Sequence, residues 1–493
     1  MIEAQFPALQ VVLPLFGAVL AALVRRGGLA YGITLVVSLL LPFVSWGLLF
    51  EVLENGPISY VFGDWLPEYG IEYRIDMVNA LLLVLISTVG AVIAPFARRS
   101  VASEIEDDRI GWFYCVYLLS MCGLLGVAIT GDAFNAFVFL EISSLATYIL
   151  IALGRDRRAL LAAYQYLIIG TIGATFYVIG VGMLYSMTGT LNLSLIAERL
   201  ADVESYRPVL AALAFIVVGI SLKLALFPLH VWLPNAYAYA PSFATVFLAA
   251  TATKVAIYLF VRYLFSIFGV GFVFADLPVS EILIVLSVAA MFGASTVAVF
   301  QADLKRMLAY SSVGQVGYIT LGIALANFNG LTGGLVHILN HALIKSCLFM
   351  CIGAAFFRTG RVTIEDLGGI GRRMPLTLSA FAIAGLGLIG VPGTAGFISK
   401  WYLILGAFDK GWWWLAFLIV ASSLIAIVYV GRVIEAAWFR EPGGAVAVAK
   451  EAPPEMLVPI WIMVIATIYF GIDTDLTAGF AGIAAITLLE GLR

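Results

Sequence analysis

Charge is scarce in this 493-residue sequence. Only 12% of its residues are Asp, Glu, Lys or Arg, about half of the ~25% typical of soluble domains. A net formal charge of −3 gives no reason to expect nucleic acid or an acidic partner. Cysteine is scarce too: Cys115, Cys122, Cys347 and Cys351 all lie in apolar runs. Cys347 and Cys351 share a helix face, so a metal or redox pair is conceivable. Packing is the expectation, because a metal site needs more ligands. A phosphate loop, a dinucleotide fingerprint, a haem-ligand pattern and a nucleophile–base arrangement are all missing. No cofactor is expected, and the chain is not expected to be an enzyme.

What the sequence has in excess is apolar length. Hydrophobic residues make up 62% of it and the mean hydropathy is +1.05. Runs of about 20 apolar residues read as membrane-spanning helices. About fourteen are predicted, at 4–24, 29–51, 76–97, 112–130, 133–153, 160–187, 208–228, 241–265, 280–302, 305–327, 331–357, 376–407, 411–438 and 456–475. The start, MIEAQFPALQVVLPLF, is acidic where a signal peptide is basic, so its apolar run is read as the first span. Arg25/Arg26, Arg98/Arg99, Arg155/Arg157/Arg158, Lys305/Arg306, Arg358/Arg361 and Arg372/Arg373 fall in alternate loops. The intervening loops carry acids such as Glu51, Glu54, Asp64, Glu68 and Glu72. The positive-inside rule then puts both termini outside a cytoplasmic (inner) membrane crossed many times.

Two spans are interrupted. The seventh, SLKLALFPLHVWLPNAYAYAPS, contains Pro228 and Pro234, and the twelfth, AGLGLIGVPGTAGFISKWYL, contains Gly390, Pro392, Gly393 and Gly396. Proline removes a backbone donor, so both helices are expected to unwind locally. Each break falls in the fourth member of a five-helix set. The expected fold is an all-α polytopic membrane protein with two inverted five-helix repeats, each holding one broken helix. Its divisions are 1–111 (spans 1–3), 112–265 (spans 4–8), 266–440 (spans 9–13) and 441–493 (span 14). Broken helices paired in inverted repeats point to a transport site; two unrelated proline kinks are the alternative.

Lysine is rarer than charge in general, with seven against twenty arginines. Lys223, Lys254, Lys345 and Lys400 lie within spans and Lys305 at a helix boundary. Arginines collect in loops, with Arg432 the main exception. A charge near a helix centre costs about 2.5–3.5 kcal/mol, and a buried lysine can release its proton where arginine cannot. Glu141, in NAFVFLEISSLATYIL, is the deep carboxylate of the first half and needs a cation. Its expected partner is Lys223, held protonated while the pair is closed and able to pass its proton on when it opens; a purely structural pair is the alternative. His337, His341 and Lys345, in LVHILNHALIKS, repeat at a spacing of four on one helix face, where imidazoles can relay protons. His230, beside Pro228, is expected to cap freed backbone or to line a cytoplasmic entrance. Arg432 and Glu435 are expected to pair, Asp132 to cap span 5, and Asp303 to order the turn before span 10. No metal site is expected.

The segments FLEISSL, LKLALFPLHVWLP, QADLKRMLAYSSVGQVGY, HILNHALIKSCLF and GVPGTAGFISKW resemble, in the same order over roughly 75–440, the proton-translocating antiporter-like subunits. That superfamily spans Mrp-type multisubunit sodium/proton antiporters, respiratory complex I and membrane-bound hydrogenases, and the nearest likeness is to the D-type component of the Mrp antiporters. The ending soon after span 14 fits members without a long lateral helix. The resemblance implies that Glu141 and Lys223 are the paired groups of helices 5 and 7, and that Lys254 is the central group of helix 8. His337, His341 and Lys345 would form the relay of helix 11, and Lys400 the terminal group of helix 12. It further implies other membrane subunits as partners, with protons and Na+ or K+ as cargo. WLPNAY, with Asn235 and Tyr237, departs from the WLPDAH common in complex I members. The alternative function is proton pumping in a complex I-like or hydrogenase redox complex.

Overall fold

The computed structural model describes residues 3–24, 26–204 and 206–490. Arg25, one of the basic loop residues, and the last three residues of the 441–493 segment lie outside the described residues. The chain is a bundle of long helices: α1 (Phe6–Val24), α2 (Gly27–Asn55), α3 (Met77–Glu104), α4 (Ile110–Ile129), α5 (Ala133–Ala152) and α6 (Arg157–Thr188). A short amphipathic α7 (Leu193–Leu200) precedes α8 (Tyr206–Leu224), α9 (Trp232–Tyr239), α10 (Ser242–Ala250) and α11 (Ala252–Val261). Next come α12 (Val279–Val299), α13 (Leu304–Leu325), α14 (Phe328–Thr359), α15 (Pro375–Ile389), α16 (Ala395–Asp409) and α17 (Trp413–Phe439). The chain closes with α18 (Gly444–Ala447), α19 (Pro454–Ile472) and α20 (Phe480–Glu490).

Among the described residues thirteen helices are long and apolar enough to cross a membrane. The fourteenth expected span is the broken twelfth, which divides into α15 and α16, each too short to register alone. The protein is an all-α, multi-pass membrane protein. Two features escaped the hydropathy reading because they are short. One is the antiparallel hairpin of β1 (Ile58–Val61) and β2 (Glu72–Ile75); the other is α20, which follows a π turn after α19.

Helix starts are set by side chains that accept from orphaned backbone amides. Asp76, Asp132, Asp156, Asn192, Asp303 and Asn327 do this for α3, α5, α6, α7, α13 and α14. The expected roles of Asp132 and Asp303 are thus seen: Asn135 N donates to Asp132 Oδ1 at 2.6 Å and Arg306 N to Asp303 Oδ1 at 2.9 Å. Each also belongs to an isolated antiparallel bridge, Asp132 with Asn192 after α6 and Asp303 with Thr363 after α14. α6 and α14 both run for 32 residues and both end on a glycine in the left-handed region, Gly189 and Gly360.

The loop charges sort to the two ends of the bundle. At one end Arg99 meets Glu455, Arg155 donates to Ile105 O, Arg158 lies over Tyr239, Arg358 donates to Glu451 O and Arg372 meets Glu441. At the other end stand the hairpin and α7, where Asn192 Nδ2 donates to Glu72 Oε2 at 2.6 Å and Arg199 meets Glu68. The Asp132 bridge sits at this acidic end and the Asp303 bridge at the basic end.

Candidate functional site

The first break follows from Ala225, which takes a left-handed φ of 61°, and from Pro228, which cannot continue the ladder. α8 stops at Leu224 and the chain turns until α9 begins at Trp232. Trp232 Nε1 donates to Leu222 O at 2.9 Å, so tryptophan caps one carbonyl freed by the break. His230 lies in the unwound stretch and stacks on Phe227, with centroids 5.1 Å apart. Pro234 lies in the first turn of α9, where its missing amide breaks no bond.

Lys223 occupies the last turn of α8. Its Nζ lies 3.3 Å from Glu141 Oε1 and donates to Ser144 Oγ at 2.6 Å. The lysine side chain is 6% exposed and the glutamate 23%. Glu141 opens sideways on α5, between the exposed Val138 and Leu145 one turn away on either side.

Lys254 lies at a second, unexpected interruption. Thr251, at φ −124° and ψ −53°, separates α10 from α11. Lys254 Nζ donates to Ala249 O beside this kink, with Thr253 Oγ1 3.4 Å away. On α14, His337 is held at both ring nitrogens, Nδ1 by Ser399 Oγ at 2.7 Å and Nε2 by Gln315 Oε1 at 2.9 Å. His341 stacks parallel to it at 6.1 Å and has no protein partner at either nitrogen among the described residues. Lys345, one turn further, donates to Leu308 O at 2.8 Å and to Ser311 Oγ.

The second break spans Gly390 to Thr394 and contains Pro392. Gly390 has φ 90°, and a Cβ there would come within 2.9 Å of Lys400 Cδ. Gly396, grouped with the break by sequence, already belongs to α16. Lys400 Nζ reaches back across the break to Leu388 O at 3.1 Å and Ile389 O at 2.7 Å, and to Ser423 Oγ at 2.9 Å. It also stands 4.7 Å from the Tyr318 ring centroid. Tyr318 OH bonds Ser422 and Ser423, and its ring lies 5.6 Å from His337. Tyr318 thus links the histidine helix to the second break.

Lys223, Lys254, Lys345 and Lys400 are therefore all buried, one facing a carboxylate and three facing neutral oxygens. Lysine can exist uncharged in such surroundings, and imidazole can donate at one nitrogen while accepting at the other. Proton hand-over is the chemistry these groups share. The four cysteines are free and buried. Among the described residues no group of three or more His, Cys, Asp or Glu is placed to hold a metal.

Residues 130–426 match the family described as NADH:quinone oxidoreductase/Mrp antiporter, transmembrane. The chain belongs to this family. It is 43% identical over 490 residues to NADH-quinone oxidoreductase subunit N of Desulforudis audaxviator, covering 96% of each. It is 31% identical over 440 residues to the D-type Na(+)/H(+) antiporter component of Alkalihalophilus pseudofirmus, covering 89% of this chain and 87% of that one. Two solved structures share its fold at a TM-score of 0.90. One is the membrane-bound sulfane sulfur reductase, an archaeal respiratory membrane complex (31% identical, 98% of each chain). The other is the Mrp complex of a Dietzia species (26% identical, 99% of this chain and 98% of that one). The family thus embraces antiporter and respiratory subunits, as the motifs imply.

Other charges behave differently from expectation. Arg432 donates to Val299 O, while Glu435 meets Arg440 at 2.9 Å, so Arg432 and Glu435 do not pair. Arg262 is a buried arginine that the loop pattern concealed. It forks onto Asp76, Nη1 to Oδ2 at 2.7 Å and Nη2 to Oδ1 at 2.8 Å. Burial opposes ionisation of Asp76, but the Arg262 guanidinium and the Asn79 and Val78 amides outweigh it and hold the carboxyl below its ordinary range. By hydropathy Asp76 is only the edge of a span. Its meeting with a bidentate arginine 186 positions away has no local signal.

Proposed function

We propose that this antiporter-family chain carries protons within a hetero-oligomeric membrane complex, as the proton-translocating subunit of a monovalent cation (Na+ or K+)/proton antiporter. Glu141 and Lys223 form its switch. Lys254, His341, His337 and Lys345 continue the path, and Lys400 ends it. Pro228 and Pro392 supply the breaks that let the terminal lysines move, and His230 lines an entrance towards the basic end. The observation that carries this reading is the 3.3 Å Glu141–Lys223 contact at a helix break, followed by three lysines on neutral oxygens.

The repeats belong to the same proposal. Residues 112–265 and 266–440 would be two inverted five-helix sets. Their support is the matched bridges of Asp132 and Asp303, which stand at opposite ends of the bundle. The basic end is assigned to the cytoplasm of an inner membrane and the termini to the outside.

A second reading has equal support. The 43% relative is a quinone oxidoreductase subunit, so the same path could be driven by electron transfer in a peripheral arm. Gentle purification from the native membrane with mass spectrometry of the companions tests both. Small membrane subunits alone support the antiporter; flavin or iron–sulfur proteins in the complex remove it. Glu141→Gln and Lys223→Ala should each abolish translocation in an assembled complex, and intact translocation in either removes the switch.

A further inference from the structure

The two histidines of α14 share a helix face but not a chemical setting. His341 has no protein partner at either nitrogen among the described residues, so a proton gained there would add a buried donor with nothing to receive it. His337 is bonded at both nitrogens. Its Nε2 stands 2.9 Å from Gln315 Oε1, an oxygen that only accepts, so Nε2 carries a hydrogen. Its Nδ1 stands 2.7 Å from Ser399 Oγ, and a hydroxyl can either donate or accept.

Ser399 has two places for its one hydrogen. Besides Nδ1, its Oγ can donate to Gly396 O, 3.1 Å away and three residues back on α16. One hydrogen cannot point at both. With His337 neutral, Nδ1 presents a lone pair and the hydroxyl donates to it. Gly396 O is then not stranded, because the helix ladder of α16 also uses it. With His337 charged, Nδ1–H donates to Oγ and the hydroxyl turns to Gly396 O. Every donor is answered in both states, and no heavy atom has to move. The serine reaches the imidazole because Gly333, one turn before His337, lets α16 come close: a Cβ there would lie 2.8 Å from Leu403 N and 3.1 Å from Ser399 O. His337, Gln315 and Ser399 are all buried, which keeps bulk water from replacing these partners.

Resting on the proton-carrying role proposed above, we propose that Ser399 is a hydroxyl rotor that lets His337 hold a proton, making His337 rather than His341 the place on α14 where the proton pauses. On loading, an N–H bond of the preceding base in the path breaks as Nδ1–H forms on His337. The Ser399 hydroxyl turns to Gly396 O with its own O–H bond intact. On release, Nδ1–H breaks, the proton passes to the amine of a following lysine, and the hydroxyl turns back. Ser399 keeps its proton throughout and is a positioning residue. A serine that only bonds back to its own helix would leave the imidazole unchanged when removed.

The test uses the assembled complex in sealed membrane vesicles. Ser399→Ala should lower translocation at least tenfold with the complex assembled. Ser399→Cys, close in size but a weaker donor and acceptor, should fall between it and wild type. Nitrogen NMR of vesicles carrying 15N-labelled histidine adds a readout that packing would not move, with the His337 signals identified by their loss in His337→Gln. The Nδ1 resonance should be that of a hydrogen-bonded acceptor in wild type and of a bare imine nitrogen in Ser399→Ala. Poised by an imposed proton gradient, wild-type vesicles should show charged imidazole at His337 and Ser399→Ala vesicles should not. An unmoved Nδ1 resonance, charged imidazole at His341 in place of His337, or wild-type translocation by Ser399→Ala overturns the rotor. His337→Gln in the same assay separates the two proposals: an inactive His337→Gln beside an active Ser399→Ala removes the rotor alone. Should His337→Gln translocate at the wild-type rate, the path through α14 fails and the nitrogen spectra still decide whether Ser399 serves the imidazole.

Discussion

The two helix breaks solve one problem in different ways. At the first, Lys223 ends the half-helix α8 and faces Glu141, so its charge is answered by another charge. At the second, Lys400 begins its role after the break, on α16, and reaches back to Leu388 O and Ile389 O at the end of α15. Carbonyls at a helix C-terminus carry partial negative charge, so the unwound backbone itself receives the ammonium. A cation balanced by a carboxylate can be switched by moving the carboxylate. A cation balanced by a helix end changes only when the break rearranges. Glu141 is the more exposed partner of its pair and opens to the side of the bundle, where a neighbouring subunit can reach it.

This contrast predicts a graded set of outcomes. The largest concerns transport: Glu141→Gln and Lys400→Ala should each abolish it, and Lys400→Arg should not restore it, because a guanidinium keeps its proton. Exchange at wild-type rate in Lys400→Arg would reduce Lys400 to a fixed charge. Second in size is stability at the Asp76–Arg262 pair. Arg262→Met strands a buried carboxylate, which typically costs about 3–5 kcal/mol, and adding Asp76→Asn should recover most of it in a thermal melt of the detergent-solubilised protein. Because the Asp76 carboxyl is held low, this stabilisation is present above the unfolded carboxylate value of about 4 and lost as pH falls through the folded one.

A smaller effect sharpens the comparison of the breaks. Lys223→Met leaves Glu141 without its cation and should lower the melting temperature, with partial recovery in the Glu141→Gln double variant. Lys400→Met leaves only carbonyl and hydroxyl acceptors and should melt near wild type. Equal losses at the two sites would mean that both lysines are balanced in the same way. Trp232→Phe should cost about 1 kcal/mol, the typical net worth of one hydrogen bond, through the freed Leu222 O. Arg358→Ala, on an exposed bond to Glu451 O, should be nearly silent in both assays.

Fourteen spans, the two breaks and the lysines within them were legible because lipid imposes a uniform rule: polar groups are costly along the whole span, so each exception stands out. The same logic found Glu141, His337, His341 and Lys345. It had no purchase on Ser144, Gln315, Tyr318 or Ser423, since serines and tyrosines are common in membrane helices and only their neighbours distinguish them. It also passed over Arg262, which sits near the end of an apolar run where an arginine reads as a boundary, and it gave no sign that Trp232 caps Leu222 O at the first break. Spacing placed His337, His341 and Lys345 on one face. Their partners differ all the same, because α16 and α13 meet that face at different heights: Ser399 and Gln315 reach His337, and Ser311 reaches Lys345.

By itself the amino-acid sequence determined where the chain crosses the membrane, where it must unwind and which titratable groups lie within the spans, because these depend on local polarity and backbone chemistry. Tertiary structure alone decided that Lys223 meets Ser144, that Asp76 finds Arg262, and that Ser399 reaches His337. Those partners stand far apart along the chain, 186 positions for Asp76 and Arg262. Only the packing of helices, which local sequence does not encode, brings them within hydrogen-bonding distance.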